Sequence, residues 1–131
     1  MGLRLYPDPE GYVDAKGVPY PFLPEGQTRT ELQKFISALR DGCHRRSWGL
    51  IIESLNHGQH TGHSMHYAGL ALDFNCYRIS AETGQTMRMY TTFEEQKMLV
   101  SEVVGILGYD AWCWPDDPSE SPTHTHVSIH P

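Results

Sequence analysis

Four residues of this chain have the types and spacing to do chemistry: His66, Asp73, His124 and His126. Leu70-Ala71-Leu72-Asp73-Phe74 reads as a buried strand. An aspartate inside such a run is costly unless it is paired or bound to a metal. A loop carrying His66 and a strand carrying Asp73 can present an imidazole nitrogen and a carboxylate oxygen to one ion. His124-Thr125-His126 offers a third ligand, because residues two apart on a strand share a face. Two histidines and one carboxylate with an open fourth position make a catalytic zinc arrangement. Taken alone, His66 and Asp73 also fit a plainer reading, a carboxylate satisfied by backbone N–H groups and a loop histidine. The terminal His-x-His tips the balance towards metal.

The elements that must position these groups follow from pattern. Met1 to Gln27 holds Pro7, Pro9, Pro19, Pro21 and Pro24 among scattered aromatics. It reads as an extended arm over residues 1–27, with room for one short strand. Thr28 and Glu31 form a capping-box pattern that predicts a helix start. Leu32, Phe35, Ile36 and Leu39 give it one apolar stripe, and Gly42 is expected to end it. On that reading Cys43, His44, Arg45 and Arg46 follow the helix into solvent. Trp48 to Glu53 reads as a strand, and Phe74 to Tyr77 extends the strand of Asp73. Ser80 to Thr91 reads as a polar loop or hairpin. A second capping box, Thr92 and Glu95, opens a second helix. Its expected apolar face is Met98, Leu99, Val103, Ile106 and Leu107, and Gly108 closes it. Tyr109 to Trp114 and His124 to Ile129 complete the strands, with Val127 and Ile129 opposite His124 and His126. The expected fold is α+β, a small, mostly antiparallel sheet with two packed helices, in one domain over residues 1–131.

His57, His60, His63 and His66 recur every third residue and suggest a rival four-histidine site. Gly58 and Gly62 weaken a helix there, and a 3.6-residue period would spread the rings around it. A pocket rim is the better reading, with His60 and His63 near a substrate and His57 in solvent.

The pattern Ser64-x-His66-x-x-Gly69-x-Ala71-x-Asp73, followed by His124-x-His126, resembles the LAS zinc metallopeptidases. Within them it is most similar to the D-Ala-D-Ala carboxypeptidase and L-alanyl-D-glutamate endopeptidase branch, which includes phage endolysins. The resemblance runs from the strand near Leu50 to His126. It implies a hedgehog/D-Ala-D-Ala-peptidase-like fold and a Zn2+ held by His66, Asp73 and His126. It further implies Ser64 at the substrate, beside the rim residue His60, and hydrolysis of peptide bonds in peptidoglycan stem peptides. Two positions depart from the pattern. Many relatives carry a glutamate base three residues before the last ligand, where this chain has Thr123, so His124 becomes the expected acid/base. Asp116, Asp117 and Glu120 stand in reserve for that role. Asn56 stands where relatives carry a carboxylate-gripping arginine, which leaves Arg45, Arg46 and Arg78 as substitutes. These departures keep a second class in view: a zinc-binding module of the same fold that binds a wall fragment or a protein without turnover.

The chain has 131 residues and a formal charge of −6, without the basic excess expected of a nucleic-acid binder. Neither a signal peptide nor a membrane-spanning run is visible, so a soluble monomer with no membrane or nucleic-acid partner is expected. Cys43, Cys76 and Cys113 lack Cys-x-x-Cys spacing. They allow one disulfide but read as reduced, partly buried thiols.

Overall fold

The computed structural model describes residues 2–5, 16, 18, 20–58, 60, 65–80, 82–115 and 124–131. The elements run β1 (Leu3–Leu5), α1 (Thr30–Arg45), β2 (Trp48–Ser54), β3 (Ala71–Ile79), β4 (Thr86–Tyr90), α2 (Phe93–Leu107), β5 (Asp110–Pro115) and β6 (Thr125–His130). This is the expected α+β class. The strand order is β1-β5-β6-β3-β2, with β4 paired to β3 beyond β6. Every pairing is antiparallel except β1 with β5. Among the described residues no helix is long and apolar enough to cross a membrane.

Strand alternation divides the sheet into two chemically different faces. Leu72 and Phe74 on β3 lie opposite Val127 and Thr125 on β6, and Val127 lies opposite Cys113 on β5. These side chains are buried and, with Cys76, share the core with Leu32, Phe35, Leu39 and Cys43 of α1 and Leu99, Val100, Val103 and Val104 of α2. Burying each large apolar side chain contributes about 1.5–3 kcal/mol. Asp73 and His126 form the next row and Trp114 follows on β5, all on the opposite face.

Helix α1 differs from its sequence reading at both ends. Its N-cap is Arg29, with no side-chain cap, so the Thr28–Glu31 box does not form. The tertiary setting overrides it: the Arg29 amide donates to Gly69 O at 3.0 Å, and the Thr28 carbonyl accepts from Gln33 Nε2. Gly42 does not stop the helix. It lies buried inside it, where a Cβ would clash with Leu99 Cδ1. The glycine serves close approach of the two helices, and Cys43 is consequently buried rather than solvated.

Helix α2 starts as its pattern demands. Thr92 Oγ1 accepts from the Glu95 amide, and the Glu95 carboxylate accepts from the Thr92 amide. Gly108 ends it in the left-handed region at φ 72. Its buried face is Gln96, Leu99, Val100, Val103 and Val104, while Met98 and Ile106 are exposed. The stripe is rotated from the expected one because Gln96, a polar residue, faces inward. Its amide donates to Asn75 Oδ1 at 2.6 Å and Thr91 Oγ1 at 2.8 Å, and its Oε1 accepts from Thr125 Oγ1. The Ser80–Thr91 excursion is a hairpin, with β4 as its return strand.

Candidate metal centre

His66 sits in a single tight turn, Met65 to Gly69. The Leu70 amide donates to Met65 O and the Gly69 amide to His66 O, both at 3.0 Å. That pair of bonds is a Schellman closure, which needs a left-handed residue at its end. Gly69 supplies it at φ 72. A side chain there would also meet Leu23 Cδ1 at 2.5 Å and the Arg29 nitrogen at 3.0 Å. The turn is pinned from outside as well: the Leu23 amide donates to Tyr67 O, Arg29 Nε to Ala68 O and the Ile129 amide to Leu70 O. The glycine three residues after His66 is thus a geometric requirement of the turn that presents the imidazole.

The His66 ring tautomer follows from its neighbour. Nδ1 lies 2.6 Å from the Leu55 carbonyl oxygen, which can only accept, so Nδ1 carries the proton. Nε2 therefore offers its lone pair inward, 3.3 Å from Asp73 Oδ1 and 3.2 Å from His126 Nδ1. His126 Nδ1 stands 2.8 Å from the same Asp73 oxygen, and its Nε2 is 2.8 Å from Ser128 Oγ. All three residues are buried. Their inward atoms make a triangle with edges of 3.3, 3.2 and 2.8 Å. A tetrahedral ion with bonds of about 2.0–2.1 Å has ligand atoms about 3.3 Å apart. The triangle is close to one face of that tetrahedron.

Burial pushes the Asp73 carboxyl up, but its close contacts with the His126 and His66 rings outweigh it and hold it well below the usual carboxylate range. The group is an anion at neutral pH, ready as a ligand. Outside the triangle, each imidazole nitrogen has a hydrogen-bond partner, Leu55 O and Ser128 Oγ respectively. Such outer contacts fix ring orientation in metal sites.

His60, expected at the substrate, lies against this group. It stacks on His66 with centroids 3.8 Å apart and 8° between planes. His60, His66 and Asp73 bring ligand atoms within 4.8 Å of one another and could hold a metal ion. The triad with His126 is tighter, its inward atoms lying within 3.3 Å of one another. His60 Nε2 is also within 3.0 Å of the His57 carbonyl and 3.1 Å of Ser54 Oγ. Burial is the main cause that lowers its pKa.

His124 immediately precedes β6, partly exposed, with Nε2 3.6 Å from Glu53 Oε2. Glu53, which faces His124, has no signal in the sequence. It falls in the register shift between Ile52 and Ser54 where β2 meets Asp73. An extra residue at such a shift re-aims its side chain, and no local pattern marks it. Trp114, on the strand expected to lead to the site, stacks its ring on His126. The proposed substitutes for a carboxylate-gripping arginine are occupied elsewhere. Arg78 makes a two-pronged contact with Glu95, and Arg45 and Arg46 reach Glu102. Asn56 is buried, with its amide donating to Pro24 O at 2.8 Å. His63, Ser64, Asp116, Asp117, Glu120 and Thr123 lie outside the described residues.

No protein-family model matches the chain, and no curated protein or solved structure matches it.

Proposed function

We propose that this chain is a zinc peptidase that hydrolyses peptide bonds in bacterial peptidoglycan stem peptides. The observation that carries the metal is the convergence of His66 Nε2, Asp73 Oδ1 and His126 Nδ1 to within 3.3 Å. Two neutral imidazoles and one carboxylate leave a tetrahedral zinc with an open position. Bound there, zinc would lower the pKa of a water towards about 7 and polarise a scissile carbonyl. His124 is the group to hold the proton and deliver it to the leaving amine, with Glu53 facing its Nε2. His60 and Ser64 are the substrate-side residues. The substrate class rests on the resemblance of Ser64-x-His66-x-x-Gly69-x-Ala71-x-Asp73 to the wall-cutting peptidases.

One observation favours a second reading, a zinc-binding module without turnover. Arg45, Arg46 and Arg78 are all drawn to glutamates of α2, so none is poised for a substrate carboxylate. Digestion of crosslinked peptidoglycan and short stem peptides, followed by mass spectrometry, separates the two. Under the peptidase reading, His124→Ala keeps stoichiometric zinc and loses about 10²–10⁴-fold in turnover. His126→Ala loses both metal and turnover. A wild-type protein that holds zinc and binds wall fragments but cleaves none is the binding module. Equal zinc content in wild type and His66→Ala would refute the ligand set itself.

A further inference from the structure

Away from the metal centre, two buried cysteines touch. Cys43 Sγ, in the last turn of α1, lies 3.6 Å from Cys76 Sγ on β3, and the two residues are 1% and 0% exposed. The contact is built by the fold. Cys43 continues the buried row Leu32, Phe35 and Leu39 of α1, and Cys76 continues Leu72 and Phe74 of β3. Neither lies within the metal triad. A disulfide needs its sulfurs about 2.0 Å apart, so each sulfur must move by less than an ångström.

We propose that Cys43 and Cys76 are a cross-linking site, joined as a disulfide when the protein meets a low-molecular-weight disulfide such as oxidised glutathione. The contact with Cys76 lowers the Cys43 pKa against burial, and the Arg46 guanidinium lowers it further. The same contact, with burial, raises Cys76. Cys43, two residues from the end of α1, is the entering nucleophile. Its thiolate attacks one glutathione sulfur, forming a mixed disulfide and expelling a glutathione thiolate. Cys76 then gives up its proton and attacks the Cys43 sulfur, expelling the second glutathione. The two cysteine sulfurs lose two electrons and two protons in all, and the glutathione disulfide becomes two thiols. Exchange of this kind depends on the thiolate fraction and on access.

Access comes from the helix end. Cys43 lies two residues before the end of α1 at Arg45, where helices fray. Once the helix re-forms, both sulfurs are sealed from reductant. Cys113, also buried, has its thiol pushed up to about 12 by burial and is the bystander. The bond would close a chain separation of 33 residues. It would restrict the unfolded chain and fasten α1 to the strand that carries Asp73.

The full chain is refolded from denaturant in a glutathione redox buffer, quenched with acid and analysed by non-reducing mass spectrometry. The expected product is lighter by two hydrogens, with one alkylatable thiol at Cys113 and a cross-linked peptide containing Cys43 and Cys76. Its melting temperature should exceed that of the same protein after reduction by several degrees. Cys113→Ala should form the same bond, which keeps the test open should Cys43→Ala or Cys76→Ala fail to fold. Three alkylatable thiols after equilibration, a bond that includes Cys113, or equal melting temperatures would overturn the proposal. None of these readouts depends on metal or peptidase activity.

Discussion

Trp114 lies almost flat against His126, with ring centroids 4.1 Å apart and 24° between planes. The two are direct partners across β5 and β6. The indole backs one side of the imidazole while Ser128 Oγ holds its far nitrogen. The ring is therefore oriented by a stack and a hydrogen bond before any ion arrives.

Loss of the hydrogen bond alone should weaken the metal. Ser128→Ala removes only the partner of His126 Nε2 and should lower zinc affinity by about 10- to 100-fold. Competition with a chromophoric chelator measures this directly. Affinity equal to wild type would remove Ser128 from any role in orienting the ligand.

Two glycines with nearly the same backbone angle should respond differently to alanine. Gly69 and Gly84 have φ 72 and 71, but only Gly69 is hemmed in, by Leu23 and Arg29. Gly84→Ala should cost about 1 kcal/mol, the strain of the left-handed region alone. Gly69→Ala should cost more, about 2–4 kcal/mol, because the clash adds to the strain. Urea unfolding of the metal-free proteins compares them without interference from ligand binding. Equal losses at the two sites would show that Leu23 and the start of α1 yield freely.

The cap of α2 predicts an acid dependence. Thr92→Ala should destabilise the fold by about 1 kcal/mol. Glu95 is held below its ordinary value of 4.5, chiefly by the Thr92 amide and next by Arg78. A carboxylate whose pKa is depressed on folding stabilises the protein above its unfolded pKa. That contribution fades as pH falls through the folded value. Stability measured from pH 6 down to about pH 3 should therefore drop below roughly pH 4.5, and less steeply in Glu95→Gln. Glu95 is a third exposed, so solvent screening keeps the difference small. Identical slopes for the two proteins would show that the pairing contributes nothing to acid sensitivity.

The parts of this fold readable in advance are those written in local chemistry. Thr92 and Glu95 meet across one turn, and their pattern became the cap of α2. Asp73 stood out because a charge in an apolar run demands a partner, and the structure places His66 and His126 beside it. The misreadings arose where distant chain decides. Thr28 and Glu31 carry the same pattern as the working cap, but the helix is capped one residue later, at Arg29, whose amide is tied to Gly69 far along the chain. Gly42 looked like a stop because its value to Leu99 is invisible without α2 in place. Glu53 gave no signal, since its approach to His124 depends on a one-residue irregularity between strands.

The alternation of β6 has a consequence for how this chain can change over evolution. Thr125, Val127 and Ile129 face the helices while His126 and Ser128 face the other side. Side-chain direction in a strand has a period of two, so sliding by one residue exchanges the faces. A single-codon deletion beside His126 would thus carry an imidazole into the core and a valine into the metal triangle. Substitutions can drift on the helix side one methyl group at a time. Changes of length within β6 cannot, because the reading frame of the chemistry and that of the core are the same frame.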